Sequence, residues 1–109
     1  MTFQELQKFI KISDERLRKY FDGLEDTEKR TLARTVKLTE EVGELAAEVL
    51  AHHNWQRQEK MNKHSHKDLN HEFADVIITT FLLADVMQVN LEKAVRDKIK
   101  KIERRYKDK

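Results

Sequence analysis

The stretch Leu38-Thr39-Glu40-Glu41-Val42-Gly43-Glu44-Leu45-Ala46-Ala47-Glu48-Val49 decides how the chain folds. A helix turns ~100° per residue. With Leu38 at zero, Val42 falls near ~+40°, Leu45 near ~−20° and Val49 near ~+20°. Four apolar side chains therefore share one stripe, which predicts an amphipathic helix buried along that stripe. The same rule sets Glu41 near ~−60°, Glu48 near ~−80° and Glu44 near ~−120°, all on one flank of the stripe. Glu40 points away from it. Gly43 leaves a gap in this helix. A glycine inside a helix costs ~0.5–1 kcal/mol relative to alanine, so close approach of a ligand or another helix is the expected compensation.

A second helical stretch runs Phe73-Ala74-Asp75-Val76-Ile77-Ile78-Thr79-Thr80-Phe81-Leu82-Leu83-Ala84-Asp85-Val86-Met87. Its apolar residues point nearly all round, so it is expected to be buried on most sides. Asp75 sits within it, and Glu72 lies three residues earlier, on the same face.

Two more helices flank these. Phe3, Leu6, Ile10, Leu17 and Phe21 make one stripe from about Thr2 to Phe21, stopped near Gly23. The second helix begins near Thr27, with an incomplete capping signal, and runs to about Trp55. Residues 56–69 are polar and rich in histidine, which reads as a surface loop. The third helix starts near Asp68 or Asn70. Asn90 caps a fourth helix with Leu91, Val95, Ile99 and Ile102 at helical spacing. From Glu92 to Lys109 this segment has nine Lys/Arg against four Asp/Glu, and its basic end suits the helix dipole.

Composition agrees with an all-α fold. The 109 residues hold no proline and two glycines, too few for the turns of an all-β protein. They form a single domain, residues 1–109. No cysteine is present, which excludes disulfides and thiolate metal sites. Net charge is +2, which makes no global case for nucleic-acid binding. No apolar run reaches the ~20 residues of a membrane span. A cytoplasmic location is expected. Only 39% of residues are hydrophobic, a thin core for this length, so completion by a second copy is expected.

The paired acids carry the chemistry. A buried carboxylate is paired, protonated or bound to a cation. If the two central helices pack antiparallel, Glu41 and Glu44 face Glu72 and Asp75. Four oxygen donors then suit a hard divalent ion, Mg²⁺ above all, with waters kept for a phosphate ligand. The plainer alternative is a solvated acidic face paired with Arg34 and Lys37. Asp75 could also be neutralised by a basic residue of the fourth helix.

The segment Leu38-Thr39-Glu40-Glu41-Val42-Gly43-Glu44-Leu45, followed by Glu72-Phe73-Ala74-Asp75-Val76, resembles the EExxE…ExxD signature of MazG-like nucleoside triphosphate pyrophosphatases. These are all-α enzymes of the superfamily that includes dimeric dUTPases and dCTP pyrophosphatases. The likeness spans roughly residues 32–106 and continues through Asn90-Leu91-Glu92-Lys93-Ala94-Val95 to Arg105-Tyr106. One departure is Ile102, where relatives often have Asn, which leaves substrate range open. The resemblance implies a four-helix-bundle-like fold completed as a dimer or tetramer. It implies hydrolysis of NTPs or dNTPs between the α and β phosphates, with Mg²⁺ or Mn²⁺ as a substitute. Glu41, Glu44, Glu72 and Asp75 would be metal ligands, and Glu41 or Glu44 would activate water. Lys98 and Arg105 match family positions and would hold the leaving pyrophosphate, unless they only solvate the helix end.

Trp55 offers a stacking surface for a base, or else packs in a core or interface. His52, His53, His64, His66 and His71 have no metal-site spacing and read as loop and surface residues. Asp85 is a salt-bridge or interface candidate. The rival to an enzyme is a non-catalytic helical interaction module. A weaker one is nucleic-acid binding through the basic fourth helix.

Overall fold

The computed structural model describes residues 1–53 and 66–107. These form four helices: α1 (Phe3–Tyr20), α2 (Thr27–His52), α3 (His66–Val86) and α4 (Leu91–Tyr106). The all-α expectation holds. The Trp55 and His64 readings lie outside the described residues.

Local chemistry sets the helix ends. Thr2 caps α1, its hydroxyl accepting from the Glu5 amide at 3.1 Å. Asp26, not Thr27, caps α2 through the Lys29 amide at 2.9 Å. Arg30 turns back instead, donating to the Leu24 carbonyl at 2.8 Å. The bend between α1 and α2 needs Gly23, whose φ of +87° side-chain-bearing residues rarely adopt. Asn90 caps α4, accepting from the Lys93 amide at 3.0 Å, as its position in the sequence predicts.

The main packing is α2 along α3, with α1 laid on α3. Ile10, Ala51, Leu82, Ala84 and Val86 form the apolar core. Polar groups are buried beside them: Asp14, Arg34, Glu41, Glu48 and Thr79. Asp14 lies on the apolar stripe of α1 and gathers three guanidiniums. Arg34 Nη2 reaches its Oδ1 at 3.0 Å, Arg18 Nε its Oδ2 at 3.0 Å, and Arg30 Nε lies 3.6 Å from Oδ1. This buried ion cluster ties α1 to α2.

The chain turns by 110° between α3 and α4. Every residue of α4 from Lys93 onward is exposed, including Val95, Ile99, Ile102 and Tyr106. The radius of gyration is accordingly 17.2 Å, against ~13 Å for a compact domain near this length. No single described helix is long and apolar enough to cross a membrane.

Two expectations about burial are corrected. Within one chain α3 is buried only toward its C-terminal end. Phe73 and Ile77 are each half exposed, and Asp75 is exposed rather than enclosed. The reason is geometric: α2 and α1 cover one side of α3, and among the described residues no other helix covers the rest of it. On α2 the buried face is turned toward the acidic flank. Leu38, Leu45 and Val49 are half-buried, but Val42 is exposed. The buried positions of α2 include Arg34, Glu41 and Glu48 on the acidic flank, not the centre of the apolar stripe.

Candidate metal centre

Arg34, Glu41 and Glu48 follow one another at seven-residue steps, two turns of helix apart, so they line one face of α2. That face is buried. Across it, α3 brings Glu72 and Asp75, one turn apart on its own face.

Three of the four acids singled out by sequence converge. Glu41, Glu72 and Asp75 each offer a carboxylate oxygen, and these oxygens all lie within 4.8 Å of one another. Opposite ligands of an octahedral Mg²⁺ stand ~4.2 Å apart, so small side-chain rotations would bring the three within reach of one ion. Glu41 is 7% exposed, Glu72 half-buried and Asp75 exposed. The group thus has a closed floor and an open side. Oε2 of Glu41 and Oε2 of Glu72 are buried and accept no hydrogen bond. Buried oxygens in that state call for a proton or a cation, and an all-oxygen donor set fits a hard divalent ion.

Glu44 stands at the rim, outside this group of three, and is exposed. Its carboxyl is held above the ordinary carboxylate range, chiefly by the charge of Glu41, with some loss of hydration. Glu72 is also pushed up, first by burial and then by the charges of Glu44, Asp75, Glu41 and Glu48. The crowding of acids therefore favours protons or cations. Among the described residues, the cation paired with Glu41 is Lys37, whose Nζ lies 3.2 Å from Glu41 and 3.4 Å from Glu40. Glu41's hydrogen bond in turn raises Lys37 above its usual value. Glu40 is exposed, pointing away from α3 as its helical angle predicts.

Other candidates lie elsewhere. Lys98 and Arg105 are exposed on α4, and no ion pair joins them to Glu41, Glu72 or Asp75, because α4 leaves the bundle. The fourth helix does not neutralise Asp75. Asp85 pairs with Lys11 of α1 at 3.1 Å, well outside the group. The described His52, His53 and His71 take no part in the acidic group. A Cβ at Gly43 would meet no atom within 4 Å. Among the described residues, no other helix of the same chain approaches there.

Sequence reasoning missed the Asp14–Arg18–Arg30–Arg34 cluster. The available signal was an aspartate on the apolar stripe of α1, between Ile10 and Leu17.

Comparison with curated proteins and with solved structures gives no match. A family model does match: the MazG nucleotide pyrophosphohydrolase domain, over residues 28–109. That span holds α2, α3 and α4, and with them every acid of the group. The chain therefore belongs to the MazG nucleotide pyrophosphohydrolase family.

Proposed function

We propose that this protein hydrolyses nucleoside triphosphates, ribo or deoxy, at the α–β anhydride to give the monophosphate and pyrophosphate. The observation that carries this reading is the meeting of Glu41, Glu72 and Asp75 inside the family domain. Glu41, Glu72 and Asp75 would hold Mg²⁺, with Glu44 beside them and Mn²⁺ as a substitute. A bound divalent ion supplies neutralisation of the phosphate oxygens as charge builds in an in-line displacement. Without it the acidic group would repel a polyphosphate.

The chain's own residues divide the remaining work. Glu41, on the buried floor, fixes the position of the site through α2. Asp75, on the open side, lies where a phosphate can arrive. Glu44 is the proton acceptor for the attacking water. It faces solvent, stands outside the group of three, and Glu41's charge raises its proton affinity. Water attacks phosphorus, the bridging P–O bond breaks, pyrophosphate leaves and Glu44 keeps the proton.

The apolar stripe of α4 and the exposed Leu32, Val36, Val42, Phe73 and Ile77 support a homo-oligomer, dimer or tetramer. In that assembly Lys98 or Arg105 would reach the phosphates from another copy. The test is a pyrophosphate-release assay over all NTPs and dNTPs with Mg²⁺ and Mn²⁺. The expected result is release from at least one nucleotide, abolished by EDTA and by Glu41→Gln or Asp75→Asn. No release from any nucleotide, with thermal stability unmoved by Mg²⁺, would instead favour the non-catalytic interaction module.

A further inference from the structure

The group of acids is not bare of positive charge, since one ammonium touches it. Lys37 sits one turn before Glu41 on α2 and places Nζ 3.2 Å from Glu41 Oε1. The two ends of that pair differ sharply. The Glu41 side chain is 9% exposed and the Lys37 side chain 54%. The carboxylate is fixed by burial, whereas the ammonium hangs on a flexible stem at the surface and moves at little cost. Arg34, a turn earlier, cannot substitute, because it is buried and committed to Asp14 at 3.0 Å. Among the described residues, the other acid paired with Lys37 is Glu40, at 3.4 Å and exposed.

A divalent ion on Glu41 and an ammonium on the same carboxylate would repel each other at close range. The mobile one leaves. What arrives with the ion is a polyphosphate, the strongest nearby acceptor for a displaced ammonium. We propose that Lys37 is a displaceable cation, which occupies Glu41 in the metal-free protein and passes to a phosphate of the substrate when the divalent ion binds. This rests on the pyrophosphohydrolase reading above. It gives α2 both the floor of the metal group and a phosphate contact one turn (~6 Å) away.

The test pairs metal binding with kinetics in the full chain, using Lys37→Met and the charge-keeping Lys37→Arg. Mn²⁺ binding to the nucleotide-free protein is followed by electron paramagnetic resonance. Removing the competitor is expected to tighten Mn²⁺ binding in Lys37→Met by about two- to five-fold, the worth of an exposed ion pair. In the same variant the KM for nucleotide is expected to rise about tenfold, the loss of a charge-assisted phosphate contact. Lys37→Arg is expected to recover most of that KM. Mn²⁺ affinity equal to or weaker than wild type in Lys37→Met, or an unmoved KM, overturns the role of Lys37 alone, provided wild type binds Mn²⁺ and releases pyrophosphate. A wild-type protein that does neither overturns the catalytic reading and this inference together.

Discussion

Glu41 of α2 and Asp75 of α3 come from separate helices, yet their carboxylate oxygens lie within 4.8 Å of each other, in one group with Glu72. One is buried and the other open to solvent. That contrast suits the group to hold an ion, because an anchored oxygen alone would be sealed and an exposed one alone would be free to drift.

Holding a divalent ion there ties ligand binding to stability. At a concentration ~100 times Kd, a ligand specific to the folded state adds about 2.7 kcal/mol, or about 10 °C in Tm for a domain of this size. Wild-type protein is expected to show a rise of that order with saturating Mg²⁺ in differential scanning fluorimetry. Glu41→Gln and Asp75→Asn are each expected to lose it. A full rise in both variants would place the ion elsewhere.

The pH response follows from Glu72 and Glu44, both held above the ordinary carboxylate value of 4.5. Between 4.5 and the raised values, the folded protein keeps protons that the unfolded chain has released. Stability from these groups is therefore present below 4.5 and lost as pH rises through the raised values. Glu72→Gln is expected to raise Tm of the metal-free protein at pH 7 and to leave it unchanged near pH 4. Saturating Mg²⁺ reverses the order at pH 7, because only wild type gains from the ion. Thermal melts at both pH values, with EDTA and with Mg²⁺, read all of this.

Asp14 is expected to matter for folding, not chemistry. It is 4% exposed and balances guanidiniums from Arg18, Arg30 and Arg34. Removing one member of a buried ion cluster costs about 3–5 kcal/mol, since it strands the opposite charge. Asp14→Ala is expected to lose that much in urea unfolding. An effect below about 1 kcal/mol, the ceiling for exposed pairs, would show that the cluster does not hold α1 on the bundle.

The apolar stripe of α4 is expected to be covered by another copy. Ile99 is 52% exposed in the single chain. Ile99→Asp is expected to shift the sedimentation coefficient of an oligomer toward that of the monomer, with helicity by circular dichroism retained. A wild-type protein that sediments as a monomer at micromolar concentration would contradict the oligomer.

Helix positions were legible from apolar spacing, and caps wherever one residue type dominated, as at Asn90. The start of α2 at Thr27 was legible, but its cap was not: Asp26, one position earlier, accepts from the Lys29 amide with a charged oxygen. The acids Glu41, Glu72 and Asp75 were legible from their spacing. Their grouping, with Glu44 left at the rim, depends on how α3 is rotated against α2, which no single helix encodes. Val42 shows the same limit. Its angle puts it on the apolar stripe, but the stripe is shared between this chain's packing and surface left open. The Lys37–Glu41 contact was legible as an i, i+4 pair, but the Asp14 cluster depends on long, flexible arginines from two helices meeting one partner. Their reach exceeds what a helical angle can predict. The departure of α4 was hidden because its amphipathic pattern fits packing within the chain and packing between copies equally well.

Glu41, Glu72 and Asp75 are proposed to hold one divalent ion against a nucleotide's phosphates. Diffraction at the manganese absorption edge, from crystals grown with Mn²⁺ and a triphosphate whose α–β bridge cannot be cleaved, tests it most directly. The expected result is an anomalous peak bonded to oxygens of those three carboxylates and to a phosphate oxygen. Nucleotide-bound manganese anywhere else, with Glu41 and Asp75 bare, would contradict it.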